Sequence, residues 1–164
     1  MRHSPPARGL TLLETLVATS IVALLLTLAL PSFGSMLARH RLKAAAEHLA
    51  MDLADGRLQA ARRGQPLYLN LQAGPDWCYA LAGSAACACS PAQACQLKAV
   101  RAQDHPGVTL LAGPALRIDP QPGTSAGSAL LQGSDGMQLR VALTPLGRPK
   151  VCAPDASVPG VPGC

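Results

Sequence analysis

Gly9-Leu10-Thr11-Leu12-Leu13-Glu14-Thr15-Leu16-Val17-Ala18 opens an apolar run that continues to Ala38 with a single ionisable side chain, Glu14. A basic, proline-containing leader, Met1 to Gly9 with Arg2 and Arg8, precedes it. As a helix, these roughly 29 residues are long enough to cross a hydrocarbon core of about 30 Å. A carboxylate early in such a span costs on the order of a few kcal/mol and calls for a partner. A secretory signal would carry its cleavage site after the apolar stretch. Here the break at Arg8-Gly9 comes before it, so the run is expected to stay in the mature chain.

Helical periodicity continues beyond the run. Leu42, Ala45, Ala46, Leu49, Leu53, Ala54 and Ala60 recur at three- and four-residue steps, with Arg41, Lys43, Glu47, Asp52 and Arg62 mostly off that stripe. Gly64 and Pro66 supply a stop. One helix over Leu10–Arg63 is therefore expected, loosened or kinked at Pro31. Its first half suits lipid or a filament core, and its second half suits a sheet. Strand patterns follow at Leu67–Leu71, Trp77–Leu81, Gln96–Ala102, Val108–Ala112, Leu116–Asp119 and Met137–Leu143. Pro120–Ser128 reads as an exposed loop and Ser134-Asp135-Gly136 as a hairpin turn. The fold class expected is α+β, a long N-terminal helix on a small antiparallel sheet.

The Gly9–Ala18 stretch, followed by Pro31-Ser32-Phe33, resembles the leader and N-terminal helix of type IV pilins and type II secretion pseudopilins. The resemblance implies cleavage by a prepilin peptidase between Gly9 and Leu10 and N-methylation of Leu10. Leucine stands there in place of the more common phenylalanine. It also implies that Glu14, fifth residue of the mature chain, pairs with the amino terminus of a neighbouring subunit. The implied organisation is a leader at 1–9, a transmembrane or filament-core helix at 10–38 and a pilin-like periplasmic domain at 39–164. The implied location is the inner membrane, single-pass, with incorporation into a pilus or pseudopilus beside other major and minor pilins. In the second half, the first strand after the helix, the Trp77 strand, Leu116–Gly123 and Gly147–Cys152 resemble the FimT/GspH-type minor pilins. Type IV pilus and type II secretion both remain open as the system served.

Composition agrees with an exported single domain. Of 164 residues, 15 are Gly and 15 Pro, and aromatics make up 2%, so a turn-rich body with an aliphatic core is expected. The formal charge is +5, and loss of Arg2 and Arg8 with the leader leaves +3, compatible with an anionic partner. Cys78, Cys87, Cys89, Cys95, Cys152 and Cys164 are an even set, read as disulfides in an oxidising compartment. Cys152 and Cys164 flank a Pro/Gly-rich tail and are expected to pair. The other four allow three pairings, all left open. They lack Cys-x2-Cys spacing and a nearby His, so no metal is expected, and no cofactor.

No catalytic motif is present, and His3, His40, His48 and His105 suggest no shared site, so no enzymatic activity is expected. Gly147-Arg148-Pro149-Lys150 is the one candidate for ligand contact. It is similar to the Gly-Arg-x-Arg motif with which FimT-like pilins contact DNA, with Lys150 in place of the second arginine. That resemblance implies double-stranded DNA as a partner, and Arg140 and Arg117 are candidates to extend the patch. The alternative is a turn glycine flanked by solvated cations. Scarce aromatics exclude base stacking as the main contact, leaving phosphate electrostatics.

Overall fold

The computed structural model describes residues 11–113, 115–121, 123, 127–155 and 158–164, with the side chains of 28–32 and 112 excepted. Helix α1 spans Leu12–Arg63 and is helical through position 31. Eight strands follow: β1 Leu67–Gln72, β2 Cys78–Ala82, β3 Gln96–Arg101, β4 Val108–Ala112, β5 Leu116–Ile118, β6 Gly127–Gly133, β7 Gln138–Leu143 and β8 Pro149–Cys152. The chain divides into two units, Met1–Met36 and Leu37–Cys164.

The expected α+β class is what the structure has, with one difference in the sheet. There are two four-stranded antiparallel sheets, ordered β3-β2-β1-β5 and β4-β6-β7-β8. Strands β6 and β8 were not anticipated, and β6 takes up the last two residues of the stretch read as a loop. The Ser134–Gly136 hairpin turn is present, with Gly136 N–H donating to Gly133 O at 3.0 Å.

Within the Leu37–Cys164 unit, α1 presents Leu42, Ala45, Ala46, Leu49, Leu53 and Ala60 to the core, all buried. Three positions depart from the expected stripe. Ala54 is exposed, while Asp52 and Gly56 are buried. Gly56 is there because a Cβ would stand 3.0 Å from both Ile118 Cδ1 and Leu81 Cδ1, so the helix lies close on the first sheet. Arg62 and Arg63 close the last turn, and Gln65 N–H donates to Ala60 O at 3.3 Å.

Alternation sorts each sheet into two faces. Leu67, Leu69, Tyr79, Leu81, Val100, Leu116 and Ile118 join Leu110, Ala129, Leu131, Leu139, Val141 and Leu143 in one core with the helix. Trp77 stitches the sheets together, since its buried indole N–H donates to Val108 O at 2.7 Å. The other face of the first sheet carries Cys78, Ala80 and Ala99, buried with Cys89 in a second small cluster. Disulfides Cys78–Cys89 and Cys87–Cys95 hold the connection between β2 and β3 over that face. Asn70 Nδ2 donates to Ser84 O at 2.9 Å and Cys87 O at 2.7 Å, fixing the same segment. Cys152–Cys164 ties the tail back to β8, beside an Ala153–Gly163 bridge.

Candidate functional site

Gly9 and Leu10 lie outside the described residues. The helix begins one residue later at a capping pattern. Thr11 Oγ1 accepts the backbone N–H of Glu14 at 3.3 Å, which places Glu14 at the third helical position. A carboxylate in the first turn also complements the helix dipole. Beyond it, Leu12, Leu13, Leu16, Ile21, Val22, Leu24, Leu25 and Leu26 are all exposed, Leu12 by 83%. The polar residues among them are satisfied internally. Thr15, Thr19, Ser20 and Thr27 each return their hydroxyl to a carbonyl three or four residues earlier, at 2.7–3.0 Å. This stretch therefore offers a neighbour only hydrocarbon and one carboxylate. Described side chains of the run stop at Thr27 and resume at Phe33. Among the described residues, no helix is long and apolar enough to cross a membrane.

Two basic residues of the second sheet fall on one face. In the β7–β8 ladder Arg140 is opposite Cys152 and Ala142 is opposite Lys150, so Arg140 and Lys150 share a face as diagonal neighbours, about 7–8 Å apart. Both are exposed, while Leu139, Val141 and Leu143 between them point into the core. The ladder continues through Thr144 N–H to Arg148 O at 3.0 Å, two residues before Lys150, and Arg148 is also exposed. The four strands of this sheet contain no Asp or Glu. Arg117 stands apart. It lies on β5 of the other sheet and its guanidinium bonds Asp119 Oδ1 at 2.8 Å, so it does not extend the patch.

Two of the four histidines meet in the fold. His48 Nδ1 and His105 Nε2 are 3.1 Å apart, with their ring centroids separated by 5.3 Å. His105 also stacks on Trp77 at 6.2 Å. Lys98 of β3 reaches His48 Nε2 at 3.5 Å and forms an ion pair with Asp52. Asp52 in turn accepts the Tyr79 hydroxyl at 2.8 Å. Burial, followed by the charge of Asp52, pushes the Tyr79 phenol up, so it stays a donor. The His105 imidazole is lowered by burial first and by His48 second. An ammonium can only donate, so Lys98 donates to His48 Nε2, which leaves His48 Nδ1–H to donate to His105 Nε2. The chain of contacts locks helix to sheet edge, and among the described residues no group of three ligands could hold a metal ion. Asp52 had a legible signal, since steps of four, three and four residues put Ala45, Leu49, Asp52 and Gly56 on one stripe.

A long N-terminal helix with an apolar, carboxylate-bearing first part, joined to a disulfide-stapled two-sheet domain, defines a pilin-like subunit. Residues 45–147 match the family described as type II transport protein GspH, and residues 5–30 match the prokaryotic N-terminal methylation motif. The first match takes in more than half of the chain, which therefore belongs to the GspH family within the type IV pilin and pseudopilin superfamily. That family is one of structural subunits, anchored in the inner membrane and incorporated into filaments. No curated protein and no solved structure matches the chain.

Proposed function

We propose that this chain is a minor pilin of a type IV pilus. A prepilin peptidase cuts it between Gly9 and Leu10, and Leu10 becomes the methylated N-terminus. The helix over 10–38 anchors it in the inner membrane, with residues 39–164 in the periplasm. From there it moves into the filament, where Glu14 meets the amino group of a neighbour. The observation that carries the reading is the exposed stretch from Leu12 to Thr27, whose hydroxyls are all returned to the helix's own carbonyls. An apolar surface of this kind is stable only in lipid or against other helices.

The test is Gly9→Val with Glu14→Ala beside it. Gly9→Val is expected to accumulate as a precursor about nine residues longer, because the peptidase needs a small residue at the cut. Glu14→Ala is expected to insert normally and to be poorly recruited into sheared filaments. Normal processing at Leu10 in the first variant, or wild-type recruitment of the second, defeats the proposal. A second reading, a minor pseudopilin of a type II secretion system, is favoured by the description of the matched family. Deleting the gene separates the two, through loss of surface pili or loss of protein secretion.

The domain's own role in this reading is contact with double-stranded DNA through Arg140, Arg148 and Lys150. Support comes from the face that Arg140 and Lys150 share and from a sheet without acidic residues. Three phosphate contacts predict weak binding with a log–log salt slope of roughly −2 to −3. Titration of a labelled duplex with the full chain in neutral detergent, followed by fluorescence anisotropy, measures it. Unchanged binding by an Arg148→Gln, Lys150→Gln double variant rules the site out.

A further inference from the structure

Gly147 is buried in the turn between β7 and β8, next to Arg148. A Cβ built on it would stand 2.9 Å from Arg57 Nε, 3.0 Å from Arg57 Cδ and 3.3 Å from Arg57 Cζ. The missing side chain therefore makes room for a guanidinium that arrives from helix α1, more than eighty residues earlier in the chain. Ion pairs among the described residues engage Arg39, Lys43, Lys98 and Arg117, and none engages Arg57, Arg140, Arg148 or Lys150. The Arg57 side chain also makes no hydrogen bond among the described residues.

Arg57 and Arg148 thus flank one glycine, and among the described residues no carboxylate forms an ion pair with either. Consecutive Cα atoms are about 3.8 Å apart, so the Arg57 guanidinium lies well within a Debye length, roughly 8 Å, of the start of the Arg148 side chain. Two like charges anchored this close add their potentials, and an anion is attracted to both. The Arg57 stem is half-buried against the turn, so part of its rotamer freedom is already lost before any ligand arrives. A guanidinium offers the planar fork that suits a phosphate, which Lys150 lacks.

We infer that Arg57 is a phosphate-contacting residue at the β7–β8 turn, so that the DNA footprint runs from the outer face of the second sheet round that turn onto the helix instead of stopping at the strand edge. This rests on the duplex-contact reading above. It raises the phosphate contacts from three to four and puts the salt slope near −3.6 instead of about −2.7.

The experiment uses the full chain in neutral detergent with its disulfides intact, titrated into a labelled 20-base-pair duplex at several salt concentrations. Wild type is expected to lose about 150-fold in affinity between 50 and 200 mM salt, and Arg57→Met about 40-fold, because one contact is gone. Arg57→Met keeps an apolar stem on the turn, and Arg57→Lys keeps the charge and should keep the wild-type slope. An Arg57→Met slope equal to wild type overturns the inference and leaves the duplex reading standing, with Arg57 as packing alone. A reduced slope in Arg57→Lys equal to that of Arg57→Met also overturns it, since charge would not be what matters. No duplex binding by wild type overturns both readings together.

Discussion

At the scale of single residues, Gly147 combines two demands that its neighbours in other turns do not. Its φ of +71° is in the left-handed region, and the space a Cβ would need is filled by Arg57. Gly136, in the β6–β7 hairpin, has φ +83° but open space around it. The left-handed conformation alone costs an alanine about 1 kcal/mol. Gly136→Ala is expected to lose about that much in urea unfolding. Gly147→Ala should lose distinctly more, about 2 kcal/mol, because Arg57 has to move as well. Equal losses in the two variants would show that Arg57 yields freely. The glycine was legible in the sequence as a turn residue, but the arginine against it was not, because nothing local announces a contact across ninety residues. Asp52 is a mixed case, since its spacing puts it on the buried stripe while its chemistry argues against burial. Its charge reads as solvent-facing, and only Lys98 and Tyr79, brought by distant strands, make its burial tolerable.

At the scale of elements, the His48–His105 contact is what fastens α1 to the turn ahead of β4. The groups facing it are Lys98 from β3, Tyr79 from β2, Asp52 from α1 and Asp104 from the short 3-10 turn Ala102–Asp104. At 3.1 Å the two ring nitrogens share one proton, so the geometry holds only while at least one ring is neutral. The His105 imidazole is lowered in the fold, chiefly by burial and then by His48, so the unfolded chain binds its proton more readily. Stability from this contact is therefore complete above the unfolded value of about 6.5 and is lost as pH falls from there through the folded value. Urea midpoints should drop between pH 7.5 and 5, and His105→Gln should flatten that drop while leaving the region below pH 5 to the carboxylates. A wild-type profile level across pH 5–7.5 would remove the argument. The strands that escaped the sequence reading have physical reasons too. Gly127-Ser-Ala-Leu-Leu-Gln-Gly133 neither alternates nor carries β-branched residues, and it pairs because β4 and β7 flank it on both sides. Pro149-Lys-Val-Cys152 begins with a proline, which a strand accepts at its first position on a sheet edge. Cysteine pairing was undecided for a similar reason: Cys78 points to the face that only the stapled connection covers, which no spacing rule contains.

At the scale of the whole molecule, the division of labour is visible in where burial begins. Every described apolar side chain in the core lies at Ala38 or later, and among described residues from Leu12 to Thr27 none is buried. The hydrophobic core of the Leu37–Cys164 unit thus begins at Ala38, the last residue of the apolar stretch, and the three disulfides lie beyond it. A chain beginning at Leu37 is expected to fold in an oxidising compartment and to unfold cooperatively. Its Tm should fall within about 4 °C of the full chain's in detergent, a difference of roughly 1 kcal/mol or less, lost in fraying of the new helix end. It should be recovered from the soluble periplasmic fraction, where the full chain is expected in the membrane fraction. Circular dichroism melts of both chains, with thiol titration to confirm closed disulfides, make the comparison. If the shortened chain melts without a cooperative transition, the apolar stretch is part of the domain's folding and its exposed side chains are not reserved for lipid or for neighbouring subunits. If it melts as expected, residues before Leu37 are free to be selected for assembly alone, which is why a carboxylate at Glu14 is tolerated there although it contributes nothing to the core.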